Sequence, residues 1–282
     1  MRVVVVGPGV VGSATARRLL HHAELADLVV VGRHGGDDVL DRAGILVLSL
    51  GAPARRGLWR PRVWRTAAAA PPGAERGFDV AVLACPPPHR RLAEEAVAEG
   101  VHVVSLSQSA EDVGALLDLD GPAREAGCTV AVGAGLSPGL DGLLARRAAR
   151  HLAGIRDVRV TAWPGRGRPE DGRDGALMLL ERAFPQARVV VRHRSPTRSA
   201  GVAVKIRGEG VDGAHQSRGG TATGAPGEVA AEAAVWLAAG RCRAGAGSLA
   251  DLVADPTAFL APLERSGMRV SGPPGRARAS TR

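Results

Sequence analysis

The sequence predicts an α/β protein: a doubly wound parallel sheet, followed by a second, smaller α+β domain carrying a mostly antiparallel sheet. Three observations carry this expectation. The chain opens on a strand that runs straight into a glycine-rich turn and a helix. Strand and helix then alternate to about residue 136, and after Ser137 strands follow one another through hairpin-type links.

Each element has a local reason. Residues 2–6, "RVVVV", are a continuous β-branched run, the pattern of a parallel strand covered on both faces. From Val10 to Glu24 the spacing is helical, and "DLVVVG" and "GILVLSL" are the next strands. Residues 52–77 are rich in Arg, Pro and Ala without periodicity and read as an irregular insert. "FDVAVLAC" resumes strand, "HRRLAEEAVAEG" is an amphipathic helix closed by glycine, and "VHVVSL" is strand again. "SAEDVGALLDLDGPAREAG" is helical with a break near Gly121-Pro122, and "CTVAVGAG" is a sixth strand. Beyond it, "SPGLDGLLARRAARHLAG" is a helix with a Ser-Pro start, and "DVRVTAW", "ARVVVRHR" and "GVAVKIRG" are strands. "GEVAAEAAVWLAAG" and "DPTAFLAPLERSG" are the last helices, and residues 271–282 read as a disordered tail.

Composition narrows the function classes. A chain of 282 residues that is 45% hydrophobic and 23% charged can bury the cores of two domains. The net charge of +9 raises nucleic acid as a partner, but Lys205 is the single lysine among 37 basic residues and the arginines are spread throughout. With only 2% aromatics there is no basic stripe with interleaved rings to stack bases, so no nucleic-acid partner is expected. Cys85, Cys128 and Cys242 lie far apart, which argues against a disulfide framework or a zinc site and for a reducing compartment. No apolar run reaches ~18 residues, so no membrane partner and a cytoplasmic location are expected.

The spacing Gly7-x-Gly9-x-x-Gly12 after a buried strand is the fingerprint of a dinucleotide-binding turn in a Rossmann-type domain. Gly7 permits the tight turn, Gly9 lets backbone approach a pyrophosphate, and Gly12 lets the helix close on the strand; Val10 and Val11 belong to the same turn. At the end of the second strand, where an enzyme using NAD places an acid on the ribose, this chain has Gly32-Arg33. A guanidinium there pairs with a 2′-phosphate, so NADP is the expected cofactor and NAD the less favoured one; alternatively Arg33 only faces solvent. Cys85, Pro86 and Ser107, past the ends of later strands, complete the cofactor-binding set.

Taken together, "RVVVVGPGVVGSATARRL", "FDVAVLACPPPHRRLAEEAVAEGVHVVSLS" and "GAGLSPGLDGLLA" resemble the saccharopine dehydrogenase-like oxidoreductases, a group that includes saccharopine reductase and carboxynorspermidine dehydrogenase. The third stretch matches a G-x-G-x-x-P-G turn at Gly133, Gly135, Pro138 and Gly139, where such enzymes pass from cofactor domain to substrate domain. The resemblance implies a dinucleotide-binding domain over 1–136, a substrate and dimerisation domain over 137–225, and a segment 226–270 that packs back on the first domain. It also implies reduction of an imine or carbonyl on a small amino- or carboxylate-bearing metabolite. The chain departs from that group at Gly32 and Ser105, where acids are usual, and its middle is shorter.

Several side chains are candidates for the chemistry. His89 follows "CPPP" after the fourth strand and serves either as proton donor or as a helix-capping, backbone-bonding residue. In the loop "WPGRGRPEDGRDGALMLLERAF", Asp171 is a candidate acid and Arg173 a carboxylate-binding partner, with Glu170 and Asp174 beside them; alternatively the loop is solvated and Asp174 caps the helix. Asp141 and His193 are candidate substrate contacts. No metal is expected, because the histidines and acids lack ligand spacing. A homodimer is expected from the second sheet. Two other classes stay open: a dinucleotide-binding sensor or partner subunit without net redox turnover, and an epimerase- or cyclase-like enzyme.

Overall fold

The computed structural model describes residues 1–32, 46–49, 77–150, 152–163, 174–194, 199–209, 214–222 and 225–271. In chain order the first part runs β1 (Arg2–Val6), α1 (Val10–Leu19), β2 (Asp27–Gly32), β3 (Leu46–Ser49), β4 (Val80–Leu83), α2 (Arg90–Ala98), β5 (His102–Ser105), α3 (Ala110–Leu117), α4 (Asp120–Glu125) and β6 (Thr129–Val132). The second runs α5 (Leu140–Ala149), β7 (Ala153–Trp163), α6 (Gly175–Ala183), β8 (Arg188–His193), β9 (Ser199–Glu209) and β10 (Ala214–Ala222). The chain closes with α7 (Ala225–Ala238), β11 (Gly245–Ser248), α8 (Leu249–Leu252), α9 (Pro256–Arg265) and β12 (Arg269–Ser271).

The first sheet has the order β11-β6-β5-β4-β1-β2-β3, and its strands run parallel. This is the doubly wound arrangement expected from the alternating pattern, with β11 added as a seventh strand. Val3, Val4 and Val5 are wholly buried, as a strand covered on both faces requires. Helix α2 shows the complementary logic: Ala93, Ala96 and Val97 face the sheet, while Arg90 and Arg91 pair with Glu94 and Glu95 on the solvent side. Burial of each large aliphatic side chain in such a core contributes about 1.5–3 kcal/mol.

The second sheet has the order β12-β10-β9-β7-β8 and is mixed. Its β9, β10 and β12 pairings are antiparallel, as expected, but β7 and β8 run parallel. The hairpin-type link predicted between "DVRVTAW" and "ARVVVRHR" is therefore corrected: α6 intervenes as a crossover, the connection that parallel neighbours require. On β9 alternate residues Ala200, Val202, Val204 and Ile206 are buried, and on β7 Val158, Val160 and Ala162 join them. Helix α5 lies on this face and supplies Leu143, Leu144 and Ala148 to the same apolar cluster, which reaches back to Val3 and Val5 of β1.

The last segment serves both sheets: β11 pairs with β6, and β12 pairs with β10. Helix α7 is the hub. A side chain at Gly227 would lie 2.7 Å from the Val11 carbonyl and 2.8 Å from Ala14 Cβ, so the helix approaches α1 backbone to backbone. Farther along, Trp236 stacks obliquely on Phe259 of α9 with ring centroids 5.2 Å apart and donates its indole N–H to the buried Glu232 at 2.9 Å. Apart from Gly77, the insert predicted over 52–77 lies outside the described residues, as does the tail predicted over 271–282 apart from Ser271.

Candidate active site

The opening turn is built by what its glycines lack. Gly7 has φ +108° and donates its N–H to the Val31 carbonyl at 2.7 Å. A Cβ on it would meet the Ala84 carbonyl and the Cys85 nitrogen at 2.7 Å, so the turn rests directly on the chain leaving β4. A Cβ on Gly12 would stand 1.8 Å from the Gly7 carbonyl oxygen, so α1 can start here only with glycine at that position. Gly9 differs: it is the N-cap of α1, it makes no side-chain cap, and nothing stands within 4 Å of where its Cβ would be. Val10, the first helical residue, is 66% exposed. The open space thus lies in front of the first amides of α1, where unpaired N–H groups and the helix dipole attract an anion. The unobstructed backbone at Gly9 leaves room for a pyrophosphate to approach these amides. Gly32 ends β2 opposite Ser49; Arg33 lies outside the described residues.

The chain leaving β4 carries half-buried Cys85 and exposed Pro86 toward the same edge. His89 has no exposed surface. Its Nε2 lies 2.8 Å from the Cys85 carbonyl, its Nδ1 lies 2.9 Å from Ser105 Oγ, and its own N–H donates to Asp112 Oδ1 at 2.8 Å. Both ring nitrogens are thus engaged inside the protein, which corresponds to the backbone-bonding alternative for this residue rather than to a proton donor. Ser107, two residues past β5, is buried, donates its N–H to Ser105 Oγ at 3.2 Å, and has no partner for its hydroxyl among the described residues.

The turn between β6 and α5 requires glycine at two positions. Gly133 has φ +66° and lies against Pro138; Gly139 has φ +131°, with the Gly133 and Gly135 carbonyls where a Cβ would be. Asp141 closes this turn. Its Oδ1 accepts from the N–H of Gly139 at 2.8 Å and of Gly142 at 2.7 Å, and its Oδ2 accepts from Ser137 Oγ at 2.8 Å. Burial pushes its carboxyl up to about 6 against these hydrogen bonds, and the charge of Asp174 adds to the rise. Asp141 is therefore the acid that holds the turn, its oxygens already occupied.

At the start of α6, Asp174 accepts from the Ala176 N–H at 2.8 Å, the cap read from the sequence. Its other oxygen lies 2.8 Å from His193 Nε2, and both side chains are partly exposed. His193 shares the parity of Val189 and Val191 on β8, which pack on the core, so it stands on the helix-bearing face of the sheet. Gly175 donates its N–H to the Gln108 carbonyl at 2.9 Å, and Asp174 bridges to Ser109. The dyad is thereby fastened to the loop leaving β5, beside Ser107. Glu170, Asp171 and Arg173 lie outside the described residues. Asp112 and the Asp174–His193 pairing were missed by sequence reasoning, since nothing in the spacing links positions that only the fold brings together. Ser105 had one signal, as the residue replacing an expected acid.

No protein-family profile and no curated protein matches the chain. Solved structures do. The DAP dehydrogenase of C. glutamicum in complex with DAP superposes with a TM-score of 0.57 at 13% identity, covering 94% of this chain and 97% of that one. GenD2 from gentamicin A biosynthesis, in complex with NAD, gives 0.56 at 14% identity over 96% of each chain. An engineered D-amino acid dehydrogenase bound to NADP+ gives 0.54 at 14% identity over 93% and 96%. These likenesses establish the fold: a Rossmann-type parallel sheet with a second mixed sheet, as in nicotinamide-dependent dehydrogenases of this build. The DAP and D-amino acid dehydrogenases among these neighbours are oxidoreductases but not saccharopine dehydrogenases, the group whose resemblance the sequence carries. Among the described residues, no cluster of His, Cys, Asp or Glu could hold a metal ion, and no helix is long and apolar enough to cross a membrane.

Proposed function

We propose that the chain is an NADP-dependent oxidoreductase that reduces an imine or carbonyl on a small amino- or carboxylate-bearing metabolite. One observation carries the reading: the unobstructed turn before α1 follows the carboxyl end of β1, and the Asp174–His193 dyad is tied through Ser109 to the loop leaving the carboxyl end of β5 in the same parallel sheet. The solved structures that share the fold include complexes with NAD, with NADP+ and with DAP, which supports the class and the amino-acid-like substrate without deciding between cofactors.

The first amides of α1 would hold the pyrophosphate, with Cys85, Pro86 and Ser107 along the strand ends beyond it. A bound nicotinamide dinucleotide supplies the hydride. The chain must orient the substrate and handle one proton. His193, oriented by Asp174, is the group suited to give that proton to the nitrogen or oxygen that gains charge, and to take it back in the reverse direction. This assignment moves the acid–base role from His89, whose ring is engaged within the protein, to the other sheet. NADP is favoured over NAD because Gly32-Arg33 replaces the usual ribose-binding acid.

The test is a fluorescence titration with NADPH and NADH on the protein and on Arg33→Ala, followed by a screen of imines, keto acids and amino acids for a change in NADPH absorbance. Tight NADPH binding, weakened selectively by Arg33→Ala, together with turnover of one such class, is the expected result. Absence of binding by either nucleotide would reduce the glycines to a structural turn and overturn the reading. A dinucleotide-binding protein without redox turnover is the second reading, favoured by the internal engagement of both His89 and Asp141. Tight NADPH binding without oxidation by any of these substrates would select it.

A further inference from the structure

We propose that His89 is a positioning residue that couples the chains leaving β4 and β5, and that the group it sets in place is the Ser107 hydroxyl, a contact for the nicotinamide end of the dinucleotide. The proposal rests on the cofactor reading above and adds to it a residue-level assignment.

For a neutral His89 ring, hydrogen-bond chemistry sets the direction of the network. The Cys85 carbonyl can only accept, so His89 Nε2 carries the hydrogen across the 2.8 Å contact. Nδ1 then accepts the Ser105 hydroxyl hydrogen over 2.9 Å, and the Ser105 oxygen is left to accept the Ser107 N–H at 3.2 Å. A continuous chain runs from the Ser107 amide through Ser105 and His89 to the Cys85 carbonyl, from one strand exit to the next. Asp112 anchors it by accepting the His89 N–H at 2.8 Å. The chain is out of contact with solvent: His89 and Ser105 have no exposed surface and Ser107 is 3% exposed.

Its end is unfinished. The Ser107 hydroxyl is buried and has no hydrogen-bond partner among the described residues, a costly state for a polar group unless a ligand completes it. Topology says which ligand end arrives there. The pyrophosphate belongs at α1, and the adenosine ribose belongs at the end of β2, on one side of β1. Strands β4 and β5 lie on the other side, so the nicotinamide end falls to the strand exits that His89 joins.

Affinity for the whole cofactor, set against affinity for the same molecule lacking nicotinamide, tests this. The variants are Ser107→Ala, which removes only the hydroxyl; His89→Gln, which keeps a donor for Cys85 but no acceptor for Ser105; and His89→Asn, which keeps the acceptor for Ser105. Binding of NADPH and of 2′-phospho-ADP-ribose would be measured for each by calorimetry, with thermal unfolding as a fold control. Ser107→Ala and His89→Gln are expected to weaken NADPH about tenfold while leaving 2′-phospho-ADP-ribose within about twofold, and His89→Asn to stay nearer the parent. Equal weakening of both ligands, or of neither, overturns the proposal while the cofactor reading stands. A parent protein that binds neither ligand overturns both.

Discussion

One carboxylate, Asp174, holds both the start of α6 and the ring of His193, with the Ala176 N–H and the His193 Nε2 each 2.8 Å from a different oxygen. Asparagine caps a helix as well as aspartate does, so Asp174→Asn should leave thermal stability within about 0.5 kcal/mol. It should lower turnover, because its amide presents N–H to Nε2 and cannot hold the ring in the same state. His193→Gln should lower kcat on the order of 100-fold, the share usual for a proton-transfer group, with NADPH affinity unchanged. Steady-state kinetics on whichever substrate the screen finds would check this; an unaltered kcat in both variants removes His193 from the chemistry.

Gly9 and Gly12 make opposite demands, and the difference separates binding from folding. Gly12→Ala drives a methyl into the Gly7 carbonyl, and the shift it forces should cost about 1–3 kcal/mol of stability. Gly9 has φ −65°, which alanine adopts freely, and empty space where its Cβ would be. Gly9→Ala should therefore melt with the parent protein yet bind NADPH at least tenfold more weakly. If it binds as the parent does, the space in front of α1 is not the pyrophosphate site.

Strands β1, β2, β4, β5 and β6 were legible because a parallel sheet covered on both faces demands unbroken apolar runs. Strand β11, "GAGS", was not legible: it is held by pairing with β6 and by the Asp120 carboxylate, which accepts from the Ala246 N–H at 3.0 Å, rather than by apolar side chains. Strand β10, "AHQSRGGTA", likewise lacks alternation. The turn at Gly133–Gly139 was visible as a motif and the Asp174 cap as a helix start, because both are local. The link from His89 to Asp112 and that from Asp174 to His193 join separate elements, and no spacing rule reaches them. His89 illustrates the cost: its place after β4 suggests chemistry, while its burial and its bonds to Cys85 and Ser105 are seen only in the fold.

Gly227 decides whether α7 can lie on α1. A methyl there meets the Val11 carbonyl, Ala14 Cβ and the Thr15 nitrogen at 2.7–2.8 Å, all rigid parts of a neighbouring helix. Gly227→Ala should cost about 1–3 kcal/mol although alanine is the better helix former, because overpacking outweighs a propensity gain of about 1 kcal/mol. Because α1 carries the cradle, NADPH affinity should fall with it. Urea unfolding and NADPH titration on the one variant check both, and a stabilised variant would show that the two helices can part without loss.

The buried carboxyl of Asp141 makes a prediction about pH. Its value in the folded protein is about 6 against 3.8 unfolded, so between these values the folded state binds more protons than the unfolded one. Stability from this group is therefore greatest below about pH 4 and declines as pH rises to about 6, where the loss levels off on the order of 3 kcal/mol. Most acids that pair with cations behave in the opposite sense, so the comparison must be with a variant that does not titrate here. Asp141→Asn keeps an oxygen for the Gly139 and Gly142 N–H groups. The stability of the parent relative to Asp141→Asn, from urea unfolding at a series of pH values, should fall across pH 4–6 and stay flat above. A difference that rises with pH across that window would mean that the hydrogen bonds from Ser137, Gly139 and Gly142 outweigh desolvation, and that the turn holds a carboxylate rather than a neutral acid.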